Sequence, residues 1–181
     1  MSYKPEFTLV AGANGSGKSS NIENLQENYL NPDTMGFKKA LTELKQCIKN
    51  GKTVATETNL TGNSYLEIIK EARSNGFIIN LIFVTTEDPQ INVNRVANRV
   101  QKGGHDIPID LIHSRYKAGH RFLPQYMDAV DNITIIDNTT EPKLILVIKN
   151  KRIEYLAQKI IFPIMQTLGI KRINALRNQL S

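Results

Sequence analysis

The stretch Val10-Ala11-Gly12-Ala13-Asn14-Gly15-Ser16-Gly17-Lys18-Ser19 decides the fold. From Gly12 to Ser19 it satisfies G-x-x-x-x-G-K-[ST] at every position. The residue types have steric and electrostatic reasons. Glycines lack a Cβ, so successive backbone N–H groups can curl around an anion, and a helix that starts there adds further N–H donors and a positive dipole end. The lysine reaches the β- and γ-phosphates of a nucleoside triphosphate, and the hydroxyl that follows suits Mg²⁺. The expected nucleotide-binding residues are therefore Gly12, Ala13, Asn14, Gly15, Ser16, Gly17, Lys18, Ser19 and Ser20, with Lys18 also serving catalysis and Ser19 the metal. The flanks agree. Phe7–Ala11 is a short apolar, β-rich run that reads as a buried strand, and Lys18 to about Asn28 reads as a helix with Ile22 and Leu25 facing inward.

Outward from that loop, strands alternate with helices. Asn31-Pro32-Asp33 breaks the chain and leaves Asp33 in a loop. A helix is expected over Gly36–Lys49, with Phe37, Leu41, Leu44 and Ile48 as its inward stripe and Ala40 and Cys47 beside it. Thr53–Glu57 reads as the second strand and Tyr65–Arg73 as a helix; Phe77–Val84 is nearly all apolar and reads as a strand covered on both faces. Asp88 as N-cap and Pro89 at the first helical position open a helix running to about Lys102. Gly103-Gly104 breaks it, and Pro108 starts another that reaches about Phe122. Ile133–Asp137 is a fourth strand, and Leu144–Ile148 and Ile153–Leu156 are two more, joined at Asn150-Lys151 as an edge hairpin. A terminal helix follows, interrupted at Pro163 and near Gly169. This alternation predicts βαβ units in a mainly parallel sheet, a three-layer α/β/α P-loop NTPase fold. The core is expected over residues 1–150 with a lid at about 95–110, and residues 151–181 are expected to pack on it rather than form an independent domain.

Composition narrows the setting. The 181 residues suit one ordinary domain, and 40% hydrophobic with 22% charged side chains excludes bulk disorder. Ile78–Val84 and Leu144–Ile148, the longest apolar stretches, are too short to cross a bilayer, and Met1–Phe7 lacks the apolar region of a secretion signal. The single cysteine, Cys47, precludes an internal disulfide framework and fits a reducing, cytoplasmic setting. The net charge of +6 is unevenly spread: residues 1–148 hold 16 basic and 16 acidic side chains, whereas in residues 149–181 seven basic side chains face one acid, Glu154. The main body is thus no basic platform for nucleic acid, while the tail could meet an acidic protein or RNA.

Loops of this kind serve GTPase switches, motor ATPases and small-molecule kinases. Guanine recognition needs N-K-x-D, and Asn150-Lys151-Arg152-Ile153 lacks the aspartate. Asp33-Thr34-Met35-Gly36 has the letters of D-x-x-G, but no strand is expected before it; no strand ends in the acidic pair of a motor ATPase. A kinase needs a carboxylate to take the acceptor's proton, a group to fix the acceptor, and cations for the transferring phosphoryl group. Asp33 is the candidate general base, a role worth about 10²–10⁴-fold in rate. Glu57 sits at the carboxyl end of the second strand, where ligands of open α/β sheets bind; with Thr58 beside it, it could hold acceptor hydroxyls or order Mg²⁺ through water. Arg95 and Arg99, at i and i+4, share a helix face before the Gly103-Gly104-His105-Asp106 break, a pattern that suits a lid closing over phosphates. Arg115 adds a charge from the next helix, His105 is a hinge hydrogen-bonder, and no metal cluster is evident among His105, His113 and His120.

Together these residues resemble the zeta-toxin family of P-loop kinases in its shorter chromosomal branch. The likeness runs through Val10–Ser19, Asn31-Pro32-Asp33, Thr56-Glu57-Thr58-Asn59-Leu60, Arg95-Val96-Ala97-Asn98-Arg99-Val100 and Gly103-Gly104-His105-Asp106-Ile107-Pro108, ends near Asp137-Asn138-Thr139, and covers roughly residues 5–140. The resemblance implies ATP- and Mg²⁺-dependent phosphorylation of a hydroxyl of the UDP-N-acetylglucosamine sugar, which starves cell-wall synthesis, and restraint by an antitoxin protein, here an acidic one. It implies that Lys18 and Ser19 hold nucleotide and Mg²⁺, that Asp33 is the base, that Glu57 contacts the sugar nucleotide with Thr58 and Arg115 nearby, and that Arg95 and Arg99 bind phosphate. The connection between Asp33 and Glu57 is short for the family. Two alternatives stay open: a non-catalytic nucleotide-binding module whose basic tail recruits a partner or RNA, and a kinase for another hydroxyl acceptor such as a nucleoside or sugar acid.

Overall fold

Every residue of Phe7–Ala11 is buried, on both faces of the strand, which places β1 (Glu6–Ala11) inside a sheet rather than at its edge. The computed structural model describes residues 4–19 and 28–180. Further strands are β2 (Tyr29–Leu30), β3 (Val54–Thr58), β4 (Ile78–Thr85), β5 (Asn132–Asp137), β6 (Lys143–Lys149) and β7 (Arg152–Leu156). They form one seven-stranded sheet in the order β2-β3-β1-β4-β5-β6-β7. The run from β2 to β5 is parallel, with Phe7 opposite both Val54 and Ile79, and β6 and β7 are antiparallel additions. The apolar β4 occupies the centre, as its composition requires.

Among the described residues six helices accompany the sheet: α1 (Pro32–Met35), α2 (Phe37–Lys49), α3 (Ser64–Ser74), α4 (Pro89–Gln101), α5 (Ile109–Ala129) and α6 (Phe162–Asn178). One continuous core joins Phe7, Leu9, Leu81, Phe83 and Ile135 of the sheet to Leu44 of α2, Ile69 of α3, Leu123 of α5 and Ile164 of α6. The tail helix thus shares the core of the nucleotide-loop half. Val93 and Val96 of α4, with Ile112 of α5, make a small separate core against which Ile107 packs. Residues 20–27, which hold most of the expected Lys18–Asn28 helix together with Ile22, Leu25 and Ser20, lie outside the described residues.

Several boundaries differ from those expected. Asn31-Pro32-Asp33 does not break the chain into a loop: Asn31 caps a helix of one turn, its Oδ1 accepting from the Asp33 N–H at 2.8 Å, and Pro32 takes the first position. Phe37, placed in the buried stripe of α2, is 54% exposed. Helix α5 does not stop near Phe122 but passes through Pro124 to Ala129. An interior proline costs about 3 kcal/mol. The next turns bury Leu123, Tyr126 and Met127, each contributing roughly 1.5–3 kcal/mol, so packing outweighs the lost hydrogen bond. Pro163 begins α6 rather than interrupting it; the interruption is at Gly169, whose φ of 74° lies outside the helical range. The hairpin turns at Asn150 and Lys151, with φ of 48° and 63°, the left-handed pair that matches the twist of flanking strands. Among the described residues no helix is long and apolar enough to cross a membrane.

Candidate active site

The loop after β1 is pressed against its neighbours, and this explains its glycines. A Cβ on Gly12 would lie 2.2 Å from the Val84 carbonyl oxygen, and one on Gly15 would lie 2.4 Å from the Asn92 carbonyl oxygen. Both residues also have positive φ, 147° and 78°, so any side chain there meets backbone as well as torsional strain. Asn138, just past β5, braces the loop from beneath: its Nδ2 donates to the Ser16 carbonyl at 2.8 Å while its own N–H donates to the Thr85 carbonyl at 2.7 Å. Lys18 is 7% exposed and its Nζ donates to the Gly12 and Ala13 carbonyls at 2.7 and 3.2 Å. Burial pushes its ammonium below the ordinary lysine value, while Glu57 and Asp33 pull it back up.

Glu57, 5% exposed, comes from the end of β3 and accepts the Ser19 hydroxyl on Oε1 at 2.8 Å. The same oxygen accepts the phenol of Tyr29 from β2. Burial first, and then Glu57, drives the Tyr29 phenol well above its ordinary value. Asp33 is exposed on α1. Two cavities meet at these groups. One of about 310 Å³ is lined by Asn14, Gly15, Gly17, Lys18, Ser19, Asp33, Glu57, Arg95, Val96 and Arg99. The other, of about 250 Å³, adds Thr58, Asn59, Tyr65 and Arg115 around a mouth formed by Pro32 and Phe37. Lys18, Asp33 and Glu57 line both. The oxygen donors Ser19, Glu57 and Asp33 are of the hard type that suits Mg²⁺. Among the described residues no group of three or more His, Cys, Asp or Glu gathers as a metal cage.

Arg95 and Arg99 do face one cavity from α4. Arg95 donates to the Thr139 carbonyl at 3.2 Å, and its Nη1 is buried with no partner; Arg99 donates to the His105 carbonyl at 2.8 Å. Arg115 lies on the other cavity and donates to Asn14 Oδ1 at 2.7 Å, tying α5 to the glycine loop. One turn along, Tyr116 donates to the Thr86 carbonyl at 2.6 Å and His120 Nε2 meets the Thr85 hydroxyl at 3.1 Å. Asn138 lies in the Asp137-Asn138-Thr139 segment where the family likeness ends, but its brace under the loop was not foreseen. Tyr29, Tyr116 and His120 were not expected in the site's framework; they carry no motif, and only their hydrogen bonds reveal them.

No protein-family profile matches the chain. Its structure is similar over 97% of its length to a chain of the AvrRxo1-ORF1:-ORF2 complex, with a TM-score of 0.69, 13% identity and 71% of that chain covered. A structure of the same complex with ATP gives a TM-score of 0.68 at 10% identity, covering 98% of this chain and 64% of that one. A structure from the PezAT chromosomal toxin–antitoxin system of Streptococcus pneumoniae gives 0.60 at 12% identity, covering 99% of this chain and 87% of that one. These likenesses show the fold, an α/β P-loop NTPase fold with a mostly parallel sheet, and they extend it past the roughly 5–140 span of the motifs to nearly the whole chain. In sequence, the chain is 32% identical over 126 residues to an uncharacterized protein of Haemophilus influenzae, spanning 60% of this chain and 90% of that protein, and it belongs to that protein's family.

Proposed function

We propose that this protein is an ATP- and Mg²⁺-dependent kinase that transfers the γ-phosphoryl group to a hydroxyl of a small molecule. A UDP-sugar such as UDP-N-acetylglucosamine is the acceptor to try first. Its setting would be the cytoplasm, as a zeta-type toxin restrained by an acidic partner protein. One observation carries the reading: a cavity lined by the glycine loop and two arginines shares Lys18, Asp33 and Glu57 with a second, neighbouring cavity. Phosphoryl transfer between two bound molecules needs that junction.

In this mechanism the loop N–H groups and Lys18 hold the triphosphate, Lys18 exchanging the Gly12 and Ala13 carbonyls for phosphate oxygens. Arg95 and Arg99 neutralise charge on the transferring group. Asp33 takes the acceptor's hydroxyl proton as that oxygen bonds to the γ-phosphorus. The bond from phosphorus to the β–γ bridging oxygen breaks, and ADP leaves with its electron pair. Mg²⁺ would be held by the Ser19 hydroxyl with Glu57 behind it, and would supply charge neutralisation at the phosphates. Helix α4, joined to α5 by a small core of its own, suits a lid that brings its arginines down and excludes water.

Incubation with labelled ATP, UDP-N-acetylglucosamine and a control metabolite pool tests this. Label should move to an alcohol acceptor with the native protein and not with Asp33→Asn. ATP binding without transfer to any metabolite would favour the second reading, a nucleotide-binding module with a basic tail. The charge of residues 149–181 supports that reading, with Lys151, Lys159 and Lys171 all exposed. It predicts salt-sensitive RNA binding that weakens when those three lysines become alanine.

A further inference from the structure

Tyr29 stands on β2, the edge strand beyond β3, directly opposite Ala55. Ala55 and Glu57 share one face of β3, since side chains alternate along a strand. Tyr29 is therefore the diagonal cross-strand neighbour of Glu57, a separation that an aromatic side chain spans. Its hydroxyl ends on Glu57 Oε1, the oxygen that also accepts the Ser19 hydroxyl at 2.8 Å. Two donors from separate elements thus converge on one oxygen of a carboxylate that is 5% exposed.

The arrangement constrains Ser19. Its hydroxyl has a single proton, and that proton points at Glu57. The oxygen's lone pairs are then turned away from Glu57, toward whatever the phosphate-side cavity holds. A carboxylate rotates readily about its last torsion, where the preference is broad. Held by Ser19 alone, Glu57 could swing and carry the serine proton with it. The Tyr29 phenol, held from a separate strand, supplies the second fixed point.

We propose that Tyr29 is a positioning residue: by fixing the Glu57 carboxylate it makes Ser19 present its lone pairs to a divalent cation bound together with nucleotide phosphates. This rests on the nucleotide-binding half of the proposed function and not on the identity of the acceptor. Tyr29 itself touches neither nucleotide nor cation; it acts through Glu57.

Calorimetric titration with ADP, once with a chelator and once with saturating Mg²⁺, separates positioning from general damage. In the native protein Mg²⁺ should tighten ADP binding. Tyr29→Phe should bind metal-free ADP within about twofold of the native affinity and lose about tenfold of the gain that Mg²⁺ brings, a free-energy coupling of about 1.4 kcal/mol. Ser19→Ala should lose that gain as well, and the Ser19→Ala/Tyr29→Phe double variant should lose no more than Ser19→Ala alone, because both act through one carboxylate. An undiminished magnesium gain in Tyr29→Phe overturns the proposal. So does an equal weakening with and without metal, or a strictly additive double variant. A native protein that binds ADP with a magnesium gain but phosphorylates no alcohol contradicts the kinase reading alone, and leaves the Tyr29 comparison intact.

Discussion

The two cavities that meet at Lys18, Asp33 and Glu57 are built in opposite ways. The cavity proposed for the phosphates takes half of its lining, Asn14, Gly15, Gly17, Lys18 and Ser19, from one short stretch, with Arg95, Val96 and Arg99 of α4 across from it and Asp33 and Glu57 at its junction with the other cavity. Its shape comes from backbone, and backbone wedged against Val84 and Asn92 admits only glycine at Gly12 and Gly15. The cavity proposed for the acceptor takes Pro32 from α1, Phe37 from α2, Thr58 from β3, Tyr65 from α3 and Arg115 from α5. Each comes from a different element, and Tyr65 also belongs to the core. A backbone site must be written in consecutive residues, whereas a side-chain site can be dispersed and revised. One donor half can therefore be kept while the acceptor half changes.

Four measurements break or sharpen this contrast. Lys18→Ala should weaken ATP binding at least a hundredfold by calorimetry and abolish turnover, since it removes the ammonium that lines both cavities. An unaltered titration would remove the phosphate assignment. Asp33→Asn should lower turnover at least a hundredfold while ATP affinity stays within about twofold, because Asp33 is exposed at the junction and serves the acceptor's proton. Undiminished turnover assigns the base elsewhere. Arg115→Gln should raise the acceptor KM about tenfold, near 1.4 kcal/mol, with ATP affinity within about twofold. Equal losses for both ligands would show that its bond to Asn14 matters more than its place in the acceptor wall.

The smallest effect concerns His120, which anchors α5 to Thr85 at the end of β4. Burial holds its imidazole below the ordinary value of 6.5, partly offset by its bond to the Tyr116 carbonyl. The unfolded chain therefore takes up a proton before the folded one. Stability is fully present above about pH 6.5 and declines as pH falls below it. Thermal melts at about pH 5 should lie below those at about pH 7 partly from this source, and His120→Gln should shrink the difference. A gap of the same size in the variant would assign the acid sensitivity to other groups.

How much was legible follows from the same contrast. The glycine loop was readable letter by letter, as were the apolar β4 and the Asp88-Pro89 start of α4, because each depends on neighbours in sequence. Asp33 was singled out, but its helix was not: a single turn capped by Asn31 has no periodicity to detect. Strand β2 is two residues long and takes its partners from β3, so nothing local announces it, and Tyr29 went unnoticed with it. Phe37 fitted the stripe of α2 by spacing yet stands at the mouth of the acceptor cavity, since spacing records which residues share a side and not what covers that side. The helix from Pro108 was expected to reach only about Phe122, but the burial of Leu123, Tyr126 and Met127 that carries it on through Pro124 is a tertiary fact.

The antiparallel turn at Asn150 and Lys151 has one more effect. Because β6 runs down and β7 climbs again, the chain re-emerges at the rim where Thr139 meets Arg95, and Lys143 and Lys159 flank the groove there. The positive surplus of the last segment is therefore divided: Lys149, Lys151 and Arg152 lie at the turn, at the end of the sheet away from the glycine loop, whereas Lys159 lies at the rim. In the kinase proposed above, Lys143 and Lys159 would attract an approaching triphosphate through a field that reaches only about 8 Å in physiological salt, too short a range for the charges at the turn to add to it.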